Sequence, residues 1–313
     1  MSQDNLIQFP RTVIQKGKEF PVLEANGIPK SLAQAQKYAG KSGYVFTSSD
    51  LVEARINVYN SLQAPEVLQH PLWSNWHTVL TEEVGVGKNI VIFHGGYVFN
   101  TPKRIRKALD EGLDEGGAGR YTAEEKRLIE IGLKKGLIPE ADIRILPYGD
   151  FAKLSKAQIL DLSRQYGVSM TLQEAQQLKS ERLPLKALGK SPLFIVRSGG
   201  IDQSKEHIEV LDKLGAKTFG NGYNFTDGAG RLLCVSGGFI SGFYGDCHLV
   251  DSARFVGVNQ SAEGASQKIA IIRQDLEERL QILNAKGITT TEKLTKVLQI
   301  YDGVKQILAT SIF

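Results

Sequence analysis

The chain has 313 residues, 42% of them apolar and 23% charged, with 38 basic against 34 acidic side chains and a net charge of +4. That composition is that of an ordinary globular chain able to bury one large core or two smaller ones. Charges of both signs are spread along the length, which argues against a polybasic nucleic-acid-binding tail, and no apolar run approaches the ~18 residues needed to cross a bilayer.

The first 30 residues are punctuated by Pro10, Pro21, Gly27 and Pro29 and read as irregular. A helix is expected from Ser31, with Gln34 returning the capping bond and Gly40 as its stop. Gly43–Ser49 has the look of a short strand and Asp50–Leu62 of a helix. The segment His70–Leu80 holds both tryptophans, Trp73 and Trp76.

From Asn89 to Phe93 the run is almost wholly apolar, as in a strand buried on both faces. Thr101 and Pro102 then supply an N-cap and a first-turn proline. Thr122 with Glu125 makes a capping box for a helix that Gly136 stops. Ala141–Gly149 reads as a strand, Ser155 opens another helix, and Thr171 with Glu174 caps a further one running to about Arg182. Pro192–Gly200 reads as a strand, followed by a helix near Ser204 that Gly215 closes. Beyond it lies a glycine-dense stretch in which Arg231–Phe243 and Cys247–Val258 alternate well enough for antiparallel strands. Ile269, Ile272, Leu276, Leu280 and Leu283 recur at helical spacing, and Thr289 with Glu292 opens a last helix. Together these predict a C-terminal helical hairpin.

The expected fold class is α/β: a mixed sheet with strand–Gly-Gly–helix units and that hairpin. The expected organisation is an irregular and helical region over 1–87, an α/β core over 88–260 and the hairpin over 261–313.

Three apolar runs end at a Gly-Gly pair: Ile90–Gly96, Leu193–Gly200 and Leu232–Gly238. In open α/β sheets ligands bind beyond the carboxyl ends of strands, where helix N-termini offer free N–H groups to anions. This makes Gly95, Gly96, Ser198, Gly199, Gly200, Ser236, Gly237 and Gly238 candidate ligand-binding residues. His94 stands beside the first pair, and an imidazole titrates near neutrality, so it is the candidate proton-transfer group, with Asp202 and Asp246 as catalytic carboxylates.

Several motifs are missing. The His-Gly-Gly run has no later G-x-S-x-G elbow, which excludes the α/β-hydrolase arrangement. No P-loop or G-x-G-x-x-G fingerprint occurs, leaving any cofactor unidentified, and no zinc-ligand spacing is present, so no metal is assigned.

The expected function is an enzyme, a hydrolase or transferase, acting on a small anionic or polar metabolite with His94 moving the proton. The alternatives are a non-catalytic self-assembling structural or binding protein and, third, a nucleic-acid-associated protein. The expected partners are a small anionic or polar molecule and further copies of the chain in a homo-oligomer, with no membrane and nucleic acid disfavoured. Cys234 and Cys247, the two cysteines, are 13 residues apart. They can pair, but two reduced thiols in a cytoplasmic protein are the simpler expectation, in keeping with an N-terminus that lacks the pattern of a signal peptide.

Overall fold

The computed structural model describes residues 6–8, 15–162, 165–175, 182–238 and 241–260. The predicted C-terminal hairpin lies outside the described residues, as does the stretch from 176 to 181. In chain order the described strands are β1 (Leu6–Gln8), β2 (Gln15–Val22), β3 (Tyr44–Val45), β4 (His77–Val86), β5 (Asn89–His94), β6 (Gly119–Arg120) and β7 (Leu137–Ile138). They continue with β8 (Ile143–Pro147), β9 (Tyr166–Thr171), β10 (Arg182–Pro184), β11 (Thr218–Tyr223), β12 (Ala229–Ser236), β13 (Gly242–Gly245) and β14 (Ala253–Gln260).

These strands make two sheets with helices packed around them, a mixed α/β architecture as the sequence implies. One sheet runs β10-β11-β13-β12-β4-β5-β9-β8-β7 with β6 beside β12, and the other runs β1-β2-β14-β3. The larger sheet is mixed. β11 with β13 and β8 with β9 are parallel, whereas β5 is antiparallel to both β4 and β9. In the smaller sheet every pairing is antiparallel, and β14 pairs along its whole length with β2.

The two sheets are stitched together at Phe46. Its N–H donates to Val256 O in β14 at 3.0 Å, and its carbonyl accepts from Leu80 N–H in β4 at 2.7 Å. The Phe46 side chain is buried in the largest apolar cluster, with Val52, Trp73, Val79 and Val256 among its members. Burying a phenylalanine ring stabilises by about 1.5–3 kcal/mol, so side chain and backbone hold the same seam.

Several helices begin where capping chemistry places them. Thr101 Oγ1 accepts from Arg104 N–H at 3.3 Å ahead of the helix Pro102–Glu111. The Thr122–Glu125 box opens Ala123–Lys135, and Gly136, at φ 73°, closes it. The Thr171–Glu174 bonds are also present, at 2.7 to 3.1 Å.

Other segments depart from expectation. Residues 15–22, read as irregular, form β2. The first helix spans Gly27–Ala39, because Ser31 turns its hydroxyl to Phe20 O instead of capping. All of β4 is buried, though it carries Glu82 and Glu83. Pro192–Ser198 is a helix, not a strand, with Ser191 as its cap. A short apolar run serves either role, and periodicity alone does not separate the two.

Candidate ligand-binding cleft

The three Gly-Gly pairs do different work in the fold. At the first, β5 ends at His94, and Gly95 and Gly96 follow with φ of 83° and 70°. Side chains rarely adopt that conformation, so glycine is required here. The turn swings the chain so that three successive N–H groups, from Tyr97, Val98 and Phe99, converge on Glu82 Oε2 at 2.7, 2.8 and 3.0 Å. Such a concave set of amides is an anion cradle, and here the anion it holds is the protein's own carboxylate. The Tyr121 hydroxyl donates to the other Glu82 oxygen. Burial pushes the Glu82 carboxyl above its ordinary range, and the Tyr121 and amide hydrogen bonds oppose that shift.

The second pair, Gly199 and Gly200, joins Pro192–Ser198 to the helix Ile201–Lys213 at φ of 90° and 109°. A Cβ on Gly199 would overlap the Ser49 hydroxyl, and one on Gly200 would overlap Ile159 Cδ1. The space beside both is therefore filled by protein. Just before them, Arg197 is fully buried and donates to Glu83 Oε1 and Oε2 at 2.7 and 2.8 Å, to Asn221 Oδ1 at 2.9 Å and to Gly222 O at 3.0 Å. Ser198 is buried with no hydrogen-bond partner for its hydroxyl. At the third pair, a Cβ on Gly237 would overlap the Trp73 carbonyl, while Ser236 O accepts from Arg55 at 3.1 Å. Gly238 has open space around it at φ 66°.

His94 is 2% exposed. Its ring stacks on Tyr166 with centroids 4.8 Å apart, and Nε2 donates to Val196 O at 3.1 Å. Nδ1 is buried without a partner. Burial lowers the imidazole pKa to about 4, with the Asp50 charge and the Val196 carbonyl opposing. At neutral pH it is therefore an uncharged hydrogen-bond donor. Asp202 is exposed on the first turn of the helix Ile201–Lys213. Asp246 follows β13, which β12 and β4 separate from β5, a lateral gap of roughly 14 Å at the usual strand spacing. The fold thus does not bring His94 and Asp246 together. Because β5 is antiparallel to its neighbours, the sheet also lacks the shared carboxyl edge that a parallel α/β crevice needs.

A cavity borders the Gly95 turn at the seam between the two sheets, with Tyr44 and Val45 of β3 and Leu80 of β4 in its wall. It is an open cleft of about 530 Å³, lined by Gln36, Gly40, Tyr44, Thr47, Leu80, Gly95, Asp142 and Gln165, among others. A neighbouring cavity of about 560 Å³ shares Asp142 and Gln165 and adds Lys135, Arg144, Asp161 and Tyr166. Gly40, Gly95 and Asp142 all sit at positive φ, 65°, 83° and 50°. These turns let backbone and short side chains form the wall. The first cavity offers amide, hydroxyl, phenol and carboxylate groups beside the apolar Leu80 and Val45. A few polar groups set in an otherwise apolar wall is the usual make-up of a small-molecule site. Among the described residues no group of three or more His, Cys, Asp or Glu side chains could hold a metal ion.

Of the residues singled out from the sequence, Gly95 lines the cleft and His94 sits behind it, stacked on Tyr166. Asp142, Gln165 and Tyr44 were not singled out. Asp142 carried one legible signal, because aspartate is among the side chains that tolerate left-handed backbone.

No known protein family and no curated protein matches the sequence. Among solved structures, the chain resembles a protein reported for the accommodation of massive sequence variation in Nanoarchaeota by the C-type lectin fold. The two are 22% identical with a TM-score of 0.56, over 80% of this chain and all of that one. At that identity the likeness shows the fold alone. It corrects the expectation of a hydrolase or transferase that uses His94 for proton transfer: the fold is of the C-type lectin kind, and the histidine is an uncharged, enclosed side chain. The non-catalytic alternative accords better with both.

Proposed function

We propose that this chain is a non-catalytic binding protein whose two-sheet scaffold presents the cleft at its seam to a small polar molecule. The observation that carries the reading is the cavity of about 530 Å³ beside Gly95, which shares Asp142 and Gln165 in its wall with a second one. Its size suits a ligand of drug or disaccharide scale. Its lining favours hydroxyl and amide partners over a compact anion, because Glu82 already fills the nearby amide cradle. The solved structure of similar fold is described as accommodating massive sequence variation, and a scaffold tolerant of surface change suits a binding role.

The test is a thermal-shift screen of neutral saccharides, free amino acids and nucleotides at millimolar concentration, repeated on Gln165→Ala and Tyr44→Ala. Ligand at ~100 times its Kd stabilises the folded state by about 2.7 kcal/mol, a rise of roughly 5–10 °C for a domain of this size. The reading expects one class to produce such a shift, both variants to reduce it, and the ligand to be recovered chemically unchanged. No shift in any class, or one that both variants keep, counts against it.

Homo-oligomerisation belongs to the same proposal and is checked by native mass spectrometry at two concentrations. A discrete oligomer supports it, and a monomer at both removes it. Among the described residues no helix is long and apolar enough to cross a membrane.

A further inference from the structure

The smaller sheet has an open edge at the cleft. Its strand order makes β3 an outermost strand, and both residues of β3, Tyr44 and Val45, line the cleft. The register sets Tyr44 opposite Val258 and Val45 opposite Gly257 of β14, and one residue further on, Phe46 N–H donates to Val256 O at 3.0 Å. In an antiparallel pair, residues alternate between bonding the partner strand and turning both backbone groups away from it. Tyr44 and the Phe46 N–H therefore serve β14, and the N–H and C=O of Val45 point to the opposite side. That side is the seam, because there the Phe46 carbonyl accepts from Leu80 N–H of β4 at 2.7 Å, and Leu80 is also in the cleft wall.

Val45 is 6% exposed. Gly95, buried just past the end of β5, brings a second backbone unit to the same wall. Among the described residues, neither the N–H and C=O of Val45 nor those of Gly95 have a hydrogen-bond partner. Buried backbone groups are nearly always paired, so two unpaired peptide units in one wall point to a ligand that carries donors and acceptors of its own. One residue of an adjoining strand exchanges both bonds with a residue placed as Val45 is, and a free sheet edge is where an extended peptide adds. Among the described lining residues Asp142 carries the one charge, which disfavours acidic side chains in the ligand.

We propose that the cleft takes a short, extended, neutral or basic peptide segment, which adds to the edge of β3 by exchanging both backbone bonds with Val45 and sets a further amide on Gly95. This rests on the binding role proposed above and names the ligand class.

The test titrates the full chain, labelled at amides and methyls, with an equimolar pool of acetylated and amidated tetrapeptides varied at the two inner positions, and separately with maltotriose. The expected result is a saturable shift of the Ala39 and Leu80 methyls with the peptides, the tightest member having no Asp or Glu. At saturation with that member, hydrogen exchange of the Val45 and Gly95 amides should slow about tenfold or more. Replacing each peptide N–H in turn by an ester oxygen should weaken binding about tenfold at one position or more. The proposal fails if exchange at Val45 is unchanged, if no ester weakens binding more than about twofold, or if acidic members bind best. If maltotriose moves the cleft methyls and no peptide does, the peptide class is overturned while the cleft stands as a binding site. If neither moves them, the peptide proposal is likewise overturned, and the screen of saccharides, amino acids and nucleotides decides the binding role separately.

Discussion

Histidine shows most clearly how burial decides chemistry at the level of single residues. His94 looked like a proton carrier because it borders a glycine pair, but enclosure holds its pKa at about 4. His207 is a purer case. It is packed among Phe194, Phe219 and Phe243, neither ring nitrogen has a partner, and burial takes its pKa to about 3, with the Arg55 charge adding to the shift. Both groups titrate lower in the folded chain than at the unfolded value near 6.5. The unfolded state therefore binds more protons below pH 6.5, and stability present above that pH is lost as pH falls toward 4 and 3. Each group contributes a slope of about 1.4 kcal/mol per pH unit in that window. His207→Phe should remove one such contribution and be neutral or stabilising at pH 7, since it eliminates two unsatisfied polar atoms. Urea melts at pH 7 and pH 5 check this, and an unchanged pH dependence would contradict it. Glu19 acts in a different range. Burial alone would raise its carboxyl, but His77, Asn75 and Arg254 hold it at about 2, so its contribution is present above about pH 4.5 and lost only as pH falls toward 2.

The sequence was most legible at the scale of elements where local chemistry sets the structure, and least where distant partners do. Thr122 with Glu125 and Thr171 with Glu174 announced their helices because the capping bonds are made within four residues. No local pattern announced β4. Glu82 and Glu83 interrupt its apolar run, and their partners, the 97–99 amides and Arg197, lie on other elements. The Gly-Gly pairs were visible as backbone demands, but the sequence did not show that Glu82 occupies the first cradle or that Ser49 and Ile159 fill the space beside the second.

This arrangement makes two predictions. Arg197→Met should cost about 3–5 kcal/mol by stranding the Glu83 carboxylate, and the double variant with Glu83→Leu should recover much of that loss. Chemical denaturation of the two variants reads the difference, and equal losses would show that the pair is not a unit. Gly199→Ala should cost about 1–3 kcal/mol from overpacking against Ser49 and from the positive φ. The double variant with Ser49→Gly should regain only the packing part.

At the scale of the whole molecule, two sheets meet along Phe46, and the cleft lies at that meeting. The sequence implied a mixed sheet but not a second one, because β2 passes through Pro21 and two lysines and finds its partner, β14, more than two hundred residues later. The cleft was legible only at Gly95. Its other polar walls, Gln36, Tyr44, Asp142 and Gln165, come from four separate segments that only the tertiary fold assembles. Phe46→Ala should cost about 3–5 kcal/mol and, by loosening the seam, weaken ligand binding as well. A variant that loses stability but binds with unchanged affinity at low temperature would separate the cleft from the seam.

The most direct test of the binding account is methyl NMR of the labelled protein, titrated with the ligand class that gives the largest thermal shift. The account predicts saturable shifts at Ala39, Val45, Leu80 and Ala141, which line the cleft, while Val84 and Leu211, buried in other clusters, stay in place. Shifts concentrated away from those four methyls, or no saturable shift at any of them, would contradict it.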